Sequence, residues 1–579
     1  MNLAAILHRP TEDFIYPTGR EGVTIELSTA RVDRENVTLV YWPRYETDPA
    51  KRKRVRLTPY LKDAYHNYYR ITVQQKPIVA YLRYCFLFGS GQQTIRYGCS
   101  GFTPDDSASD DNFFEFLWPN PTDCDNAPDW AESRIYYQIF PERFCCGDAS
   151  LSPKDAKPWG TPPDRENFMG GDLRGILSKL DHIRSLGVTC LYLTPIFNAP
   201  SNHKYDTVDY FEIDPHFGTK DDLRALVEGV HQRGMKILLD GVFNHCGYYW
   251  PYFQDVVKNG EASPYSGWFF PQSYPISLDD CNYDCVGHYK WMPKINLANP
   301  EAEKYFISVG TYWVKEFHID GWRLDVADEV PTRFWTAFST ALKRLKPDIL
   351  LLGETWGDAK RLVSADRLDT AMNYLFRNAA VDWLAQERIA PSQVDHLLNR
   401  MLALYPDGVN ARMYNPLDSH DTARFRFLCK QKAHHKVAVA LQMTFPGSPA
   451  VYYGDEVGVT GDNDPDCRRC MEWDEEKQDR EMLSWYRTLI AIRQGSGSLR
   501  TGRFQTAFYD DSANVYAFYR ISREEISLIV LNAGDKAYQK EFPAEYGQGG
   551  WRELFPSRSV SPEGIQVEAN SVGIYQRGI

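Results

Sequence analysis

From Trp130 to about residue 454, short runs that are apolar on both faces alternate with amphipathic helical periods, and few folds are compatible with that alternation. The first run is Arg134-Ile135-Tyr136-Tyr137-Gln138-Ile139-Phe140. A helix over 172–186 follows, with Leu173, Ile176, Leu177, Leu180, Ile183 and Leu186 at three- and four-residue spacing and charges between them. A second run spans Val188 to Phe197, and others recur at 236–243, 321–326, 350–355, 370–376, 412–418 and 450–454. Strands apolar on both faces need cover on both, which crossover helices supply, and eight such units predict an α/β fold built on a closed parallel (β/α)8 barrel. An open doubly wound sheet is the alternative. The lack of a glycine-rich phosphate loop after the first strand counts against it.

The flanks read differently. From Val23 to about Gly101 the chain shows short alternating strands such as Val37-Thr38-Leu39-Val40-Tyr41-Trp42, bounded by a Pro- and Asp-rich stretch at 118–123. After about Gly495 alternating strands return, among them 514–519 and 526–531. The expected domains are an N-terminal β-sandwich over 1–122, the barrel over 123–497 and a C-terminal β-sandwich over 498–579. Within the barrel, the segment 244–300 is far longer than a usual strand-to-helix loop, so a small subdomain over the active face is expected there.

The formal net charge of −12 opposes binding to a phosphate backbone, so nucleic acid is not an expected partner. The first 14 residues carry His8, Arg9, Glu12 and Asp13, and no stretch approaches 18 uncharged apolar residues; neither a signal peptide nor a membrane partner is expected, and the location is read as cytoplasmic. In that compartment the 12 cysteines should be free thiols. Cys281 and Cys285, four apart, and the Cys467–Cys470 pair make a poor zinc signal.

In a barrel of this kind reactive groups stand at the C-terminal ends of strands. The third strand ends in Asp240, Asn244 and His245, the fourth in Arg323, Asp325, Asp328 and Glu329, the fifth in Glu354 and Trp356, and the seventh in Asp418, His420 and Asp421. Three carboxylates from the fourth, fifth and seventh strands would therefore converge with an arginine and two histidines. Two carboxyl groups flanking one bond are what glycoside hydrolysis requires. Arg323, two residues before Asp325 and on the same strand face, is expected to keep that carboxylate ionised, and Glu354, among apolar neighbours, is expected to have a raised pKa suited to an acid. Metal-assisted hydrolysis is disfavoured, because no His-x-His pair follows the first strand.

The segments 240–245, 321–329, 353–356 and 417–421 resemble the four signature regions of the α-amylase family of retaining glycosidases. The resemblance extends over the whole barrel, including 171–173, 194–197, 203–206 and 453–456. Met292-Pro293-Lys294-Ile295-Asn296 and the N-terminal sandwich are similar to features of the cyclomaltodextrinase, neopullulanase and maltogenic amylase subgroup. The resemblance implies Asp325 as nucleophile, Glu354 as acid/base and Asp421 as the third acid, holding sugar hydroxyls. It implies sugar contacts from Arg323, His245 and His420, stacking by Tyr205, a preceding subsite held by Asp464 and Arg468, and Trp356 on the leaving-group side. Asp240 is expected to be an internal partner of Arg323, and Asn244 mainly scaffold. The implied activity is retaining hydrolysis of α-1,4-glucosidic bonds in cyclodextrins, pullulan and maltooligosaccharides, with transglycosylation. A glucanotransferase is the alternative. A non-catalytic glucan-binding member should have lost one of the three acids, and all are present. The expected partners are α-glucan oligosaccharides and a second copy of the chain, in a homodimer formed through the N-terminal domain.

Two departures stand out. Where the subgroup reads Val-Ala-Asn-Glu after the nucleophile, this chain has Val326-Ala327-Asp328-Glu329. The run matching the subgroup's calcium loop, 145–152, offers cysteines and a leucine where a hard cation needs six to eight oxygens, so no cofactor and no metal ligand are expected, with calcium a degraded possibility.

Overall fold

The computed structural model describes residues 1–33, 36–89, 94–105, 111–547, 549–555, 560 and 564–579. By packing they fall into two compact units: 1–126 together with 395–406, and 127–394 together with 407–579.

In the second unit eight strands form one parallel sheet: Tyr136–Ile139, Cys190–Leu193, Lys236–Gly241, Gly321–Leu324, Leu350–Gly353, Thr370–Ala371, Tyr414–Pro416 and Ser448–Tyr452. The first pairs with both the second and the eighth. Between the sixth and seventh the ring closes through a parallel bridge of Met372 with Tyr414, where the Asn373 N–H donates to the Tyr414 carbonyl at 2.7 Å. The closed barrel expected from the strand–helix alternation is therefore present. Its interior holds Tyr136, Tyr192, Leu238, Leu350, Leu352, Met372 and Tyr414, buried together. Large rings fill the tapering space between eight strands, which makes the barrel a packed core rather than a pore.

Several expected elements are shorter than their apolar runs. The second strand stops at Leu193, and Phe197–Asn198 instead pairs antiparallel with Asp209–Ile213. The sixth strand has only two residues, because Asn373 accepts from the Phe376 N–H and starts a helix at Tyr374. The helix expected over 172–186 is two pieces, Leu173–Ser178 and Leu180–Ser185, separated at Lys179, with Asp172 as N-cap. Periodicity registers that a residue is buried, and it cannot distinguish a strand from the buried turn that follows it.

Outside the barrel, the helix Pro300–Phe317 is capped by Asn299 and lies against the helix Thr332–Leu345 so closely that a Cβ at Gly310 would come within 2.3 Å of the Phe338 ring. The segment 244–300, where a subdomain is expected, carries a helix at Pro251–Asn259 and short bridges pairing Pro271 with Tyr283 and Cys285 with Pro293. Part of its aromatic content is core: Trp250 packs against Tyr252 and Trp268, and against Tyr305 and Phe306 of the following helix. The tail forms a five-stranded antiparallel sheet with a two-stranded partner, and Phe542, Ile565 and Val567 pack on Val515, Leu528 and Val530.

The N-terminal unit has four- and six-stranded antiparallel sheets enclosing Val23, Ile25, Leu27, Val37, Leu39, Tyr84 and Phe86. Val40, Trp42, Cys85 and Leu87, on the opposite face of the same strands, form a second small cluster.

Two buried arginines meet at the seam of barrel and tail, and Arg520 spans it. Arg493 donates to the carbonyls of Met443 and Phe445 at 2.8 and 3.0 Å, and Arg520 to those of Thr444 and Gly502 at 2.6 and 3.0 Å. The Met443, Thr444 and Phe445 carbonyls lie at and just beyond the C-terminus of the helix Lys432–Thr444, where the backbone has no further N–H to offer and the helix dipole favours a cation. We expect Arg493→Met to fill the space but orphan those carbonyls, lowering stability by about 2–4 kcal/mol, measured by urea unfolding.

Candidate active site

The site is built around one fully buried cation. Arg323, at the end of the fourth strand, has one terminal nitrogen 3.0 and 3.1 Å from the Asp240 carboxylate and 2.6 Å from Asp325, while its other lies 2.8 Å from Glu354. The fourth strand pairs with the third and the fifth, so strand order alone brings Asp240, Arg323 and Glu354 side by side at the barrel mouth. Asp240 is the internal partner of Arg323 that the sequence suggested.

Burial and crowding change the expected charge of Asp325. Loss of hydration raises its pKa, Arg323 pulls it down, and the Glu354 and Asp240 charges push it up again, with the balance upward. Asp240, pushed up to about 6 chiefly by burial, behaves similarly. The pull of Arg323 is thus outweighed, where the sequence expectation had it dominate, because the site is dehydrated and three carboxyl groups share a single positive charge.

The backbone joins the Asp325 and Glu354 strand ends as well. Val326 adopts the left-handed conformation, φ +43° and ψ +48°, which is costly for a β-branched residue, and its N–H donates to Glu354 Oε2 at 3.0 Å. Strain directly after Asp325 thus links the fourth strand end to the fifth.

The histidines complete the floor. Gln138 donates to His420 Nδ1 at 2.7 Å, His420 Nε2 donates to Tyr205 Oη at 2.6 Å, and Tyr205 donates to Asp240 at 3.0 Å; the direction follows from Asp240 being the terminal acceptor. Tyr205 lies face to face on the His420 ring, centroids 5.4 Å apart. Burial, reinforced by Arg468 and Arg323, keeps His420 far below the usual histidine range. Burial first, then Lys294, lowers His245 to about 3. Both imidazoles are neutral at working pH, which suits hydroxyl ligands. Neither ring nitrogen of buried His245 has a hydrogen-bond partner among the described residues, and its Nε2 lies 3.9 Å from Asp325.

Around this floor, Arg468 connects the remaining expected residues. Its Nε donates to the His420 carbonyl at 2.9 Å, and its two terminal nitrogens lie 3.3 Å from Asp421 and 2.8 Å from Asp464. Trp356 leaves the fifth strand end 48% exposed, with one face stacked on Tyr374 at 4.0 Å. All ten expected residues are thus found at or beside the same barrel mouth. Sequence reading missed Gln138, Tyr192, Tyr374, Lys294 and Val326. Gln138 and Tyr192 gave a signal, being polar groups inside otherwise apolar strands; the Val326 conformation gave none. Lys294 bridges Asn244 and Glu329 at 2.6 and 2.7 Å, so Asn244 is part of a charged contact as well as scaffold. The additional carboxylate Asp328 accepts from Thr355 at 3.0 Å.

At the loop matching a calcium site, the available oxygens are already engaged. Asp172 accepts backbone N–H groups of Gly147, Asp148 and Gly175 at 2.7–2.9 Å, while Asp148 accepts from Ser150 and pairs with Arg174. Carboxylates filled by donors do not make a hard-cation cage. Among the described residues no group of three or more His, Cys, Asp or Glu side chains is placed to hold a metal, and no helix is long and apolar enough to cross a membrane.

The family profile "Alpha amylase, catalytic domain" matches residues 138–488, and "Alpha amylase, N-terminal ig-like domain" matches 1–120. The chain is 42% identical over 559 residues to a cyclomaltodextrinase of Geobacillus thermopakistaniensis, covering 95% of this chain and 94% of that one. It is 41% identical over 544 residues to an intracellular maltogenic amylase of Bacillus subtilis, covering 92% of each. A solved structure of a cyclomaltodextrinase, 36% identical, superposes with a TM-score of 0.94 over 100% of both chains.

Adding a chelator should leave the melting temperature unchanged. A calcium ion bound only to the folded state, at a hundredfold excess over its dissociation constant, would contribute roughly 2.7 kcal/mol. A fall in melting temperature that calcium restores would show that the Asp172 loop rearranges to bind it.

Proposed function

The chain belongs to the α-amylase family of glycoside hydrolases, and on that premise we propose that it cleaves α-1,4-glucosidic bonds in cyclodextrins, pullulan and maltooligosaccharides with retention at the anomeric carbon. The observation that carries this reading is the pair of ion contacts from Arg323 to Asp325 and Glu354. Two carboxyls anchored on one guanidinium favour the close spacing of about 5–5.5 Å used for a covalent intermediate, rather than the wider gap that admits a water.

In this mechanism Asp325 attacks the anomeric carbon and Glu354 protonates the departing oxygen. Glu354 then deprotonates the water, or the sugar hydroxyl, that releases the glycosyl group. Arg323, in ion contact with both carboxyls, stabilises the ionised partner throughout. Asp421, steadied by Arg468, accepts hydrogen bonds from the 2- and 3-hydroxyls. The unpartnered nitrogens of His245 and the neutral His420 serve the same sugar, over Tyr205. Asp464 with Arg468 bounds the preceding sugar, and the exposed face of Trp356 supports the leaving group. Transfer to a sugar acceptor in place of water follows when that face is occupied.

Asp325→Asn and Glu354→Gln should each lower turnover at least about a hundredfold while the protein still folds, checked by circular dichroism. Product analysis on cyclodextrin, pullulan and starch, with anomeric configuration read by proton NMR, tests both the stereochemistry and the substrate range. Inverted product would overturn the roles given to the two acids.

We further propose a homodimer through the N-terminal sandwich and the intracellular compartment named for the Bacillus subtilis relative. The exposed aromatic rings Tyr45, Tyr81 and Trp118 on that sandwich support an interface. Light scattering at micromolar concentration should give twice the chain mass. A monomer with full cyclodextrin activity would count against the dimer.

A further inference from the structure

The two cysteines four residues apart in the overhanging subdomain have no part in the chemistry above. Their sulfurs lie 3.9 Å apart, and both side chains are partly exposed. Cys281 adopts the left-handed conformation, φ +48°, which curls the chain so that residues four apart face each other. Among the described residues no third ligand completes a metal site with them. The remaining chemistry open to adjacent thiols is bond formation with each other.

We propose that Cys281 and Cys285 are a reversible dithiol–disulfide site that reacts with small-molecule disulfides and braces the subdomain over the active site. The exchange balances without another reactant. The Cys281 thiolate attacks the small disulfide, forming a mixed disulfide and expelling one thiolate. Cys285 then attacks the Cys281 sulfur and expels the second thiolate, and the two protons lost by the protein thiols are carried by the two released thiols. Burial and the neighbouring Cys281 push the Cys285 thiol up to about 11, and capping the Cys281 sulfur removes that neighbouring charge before Cys285 attacks.

The bond would act on a short ladder that reaches the catalytic floor. Asp284, between the two cysteines in sequence, donates its N–H to the Phe270 carbonyl at 3.0 Å and accepts from the Lys294 N–H at 2.9 Å. Cys285 bridges Pro293, and Lys294 bridges His245. The Cys246 N–H donates to Pro293 at 3.0 Å, and the Ile295 N–H donates to Asn244 at 2.9 Å. Tying Cys281 to Cys285 therefore fixes the second of four adjoining segments, 270–271, 283–285, 293–295 and 244–246, the last of which carries His245. The dithiol does not depend on which glucan is cleaved.

The test is to equilibrate the native full-length protein with oxidised and reduced glutathione at a series of ratios, quench with acid, alkylate and map the peptides by mass spectrometry. The expected result is an internal 281–285 disulfide in the wild type, reversed by excess reduced glutathione. Cys281→Ser and Cys285→Ser should carry glutathione on the remaining cysteine. Limited proteolysis within 270–290 should slow several-fold on oxidation of the wild type and remain unchanged in either variant. Stable glutathione adducts on both cysteines of the wild type, no modification of either, or equal proteolysis of oxidised and reduced forms would overturn the proposal. A hydrolysis assay on the same samples keeps the outcome separate from the catalytic assignment, because loss of the disulfide leaves Asp325 and Glu354 in place.

Discussion

The guanidinium of Arg323 is the group around which the active end of the barrel is organised. A buried cation is tolerable only when its charge is met, and here Asp240, Asp325 and Glu354 meet it from three neighbouring strands. Those contacts fix the mutual position of the two carboxyls proposed for chemistry. With three carboxyls on one cation in a dehydrated site, Asp325 and Asp240 are displaced upward, by burial first. Stability and reactivity have a common origin here: the same arginine holds the strand ends in register and sets how many carboxyls can be ionised.

Neutral groups surround this charged centre for a physical reason. His245 and His420 are too deeply buried and too near cations to take up a proton, so they present hydrogen-bonding nitrogens without adding charge. The line from Gln138 through His420 and Tyr205 to Asp240 satisfies each polar atom in turn, which a dry barrel floor requires. His245 is the exception, with both nitrogens unpartnered and aimed beside Asp325. A buried polar group left unsatisfied costs free energy that a bound sugar hydroxyl can recover.

Further from the chemistry, the molecule meets its buried cations by a different route. Arg493 and Arg520 have no carboxylate partner among their bonds and are met by carbonyls around a helix C-terminus, so the join between barrel and tail depends on backbone geometry. In the subdomain the aromatic residues mostly pack on one another, while Trp356 on its Tyr374 support keeps an exposed face at the site. One compositional excess therefore serves two purposes, which composition alone does not separate.

The sequence by itself determined the barrel, because eight doubly apolar strands alternating with amphipathic helices have hardly another way to bury both faces. It also determined which residues gather at the mouth, since strand ends in such a barrel converge, and Asp325, Glu354, Asp421, His245, His420 and Arg323 all stand at or just beyond them. Strand lengths were less legible: Phe197 and Tyr374 are as buried as the strands preceding them yet belong to a hairpin and a helix. What only the tertiary structure decided is the electrostatic environment and the fine placement. The Asp325 carboxyl is displaced upward first by burial, against the pull of Arg323, and then by Glu354 and Asp240, which are distant in sequence. The Val326 backbone is held in a strained conformation by its link to Glu354. The Asp172 and Asp148 oxygens are taken by backbone donors and Arg174, and the Cys281 and Cys285 sulfurs face each other because a left-handed turn brings them together. Each of these depends on distances of a few ångströms between groups whose spacing along the chain says nothing of their separation in space, and electrostatic and hydrogen-bond energies are set by that separation.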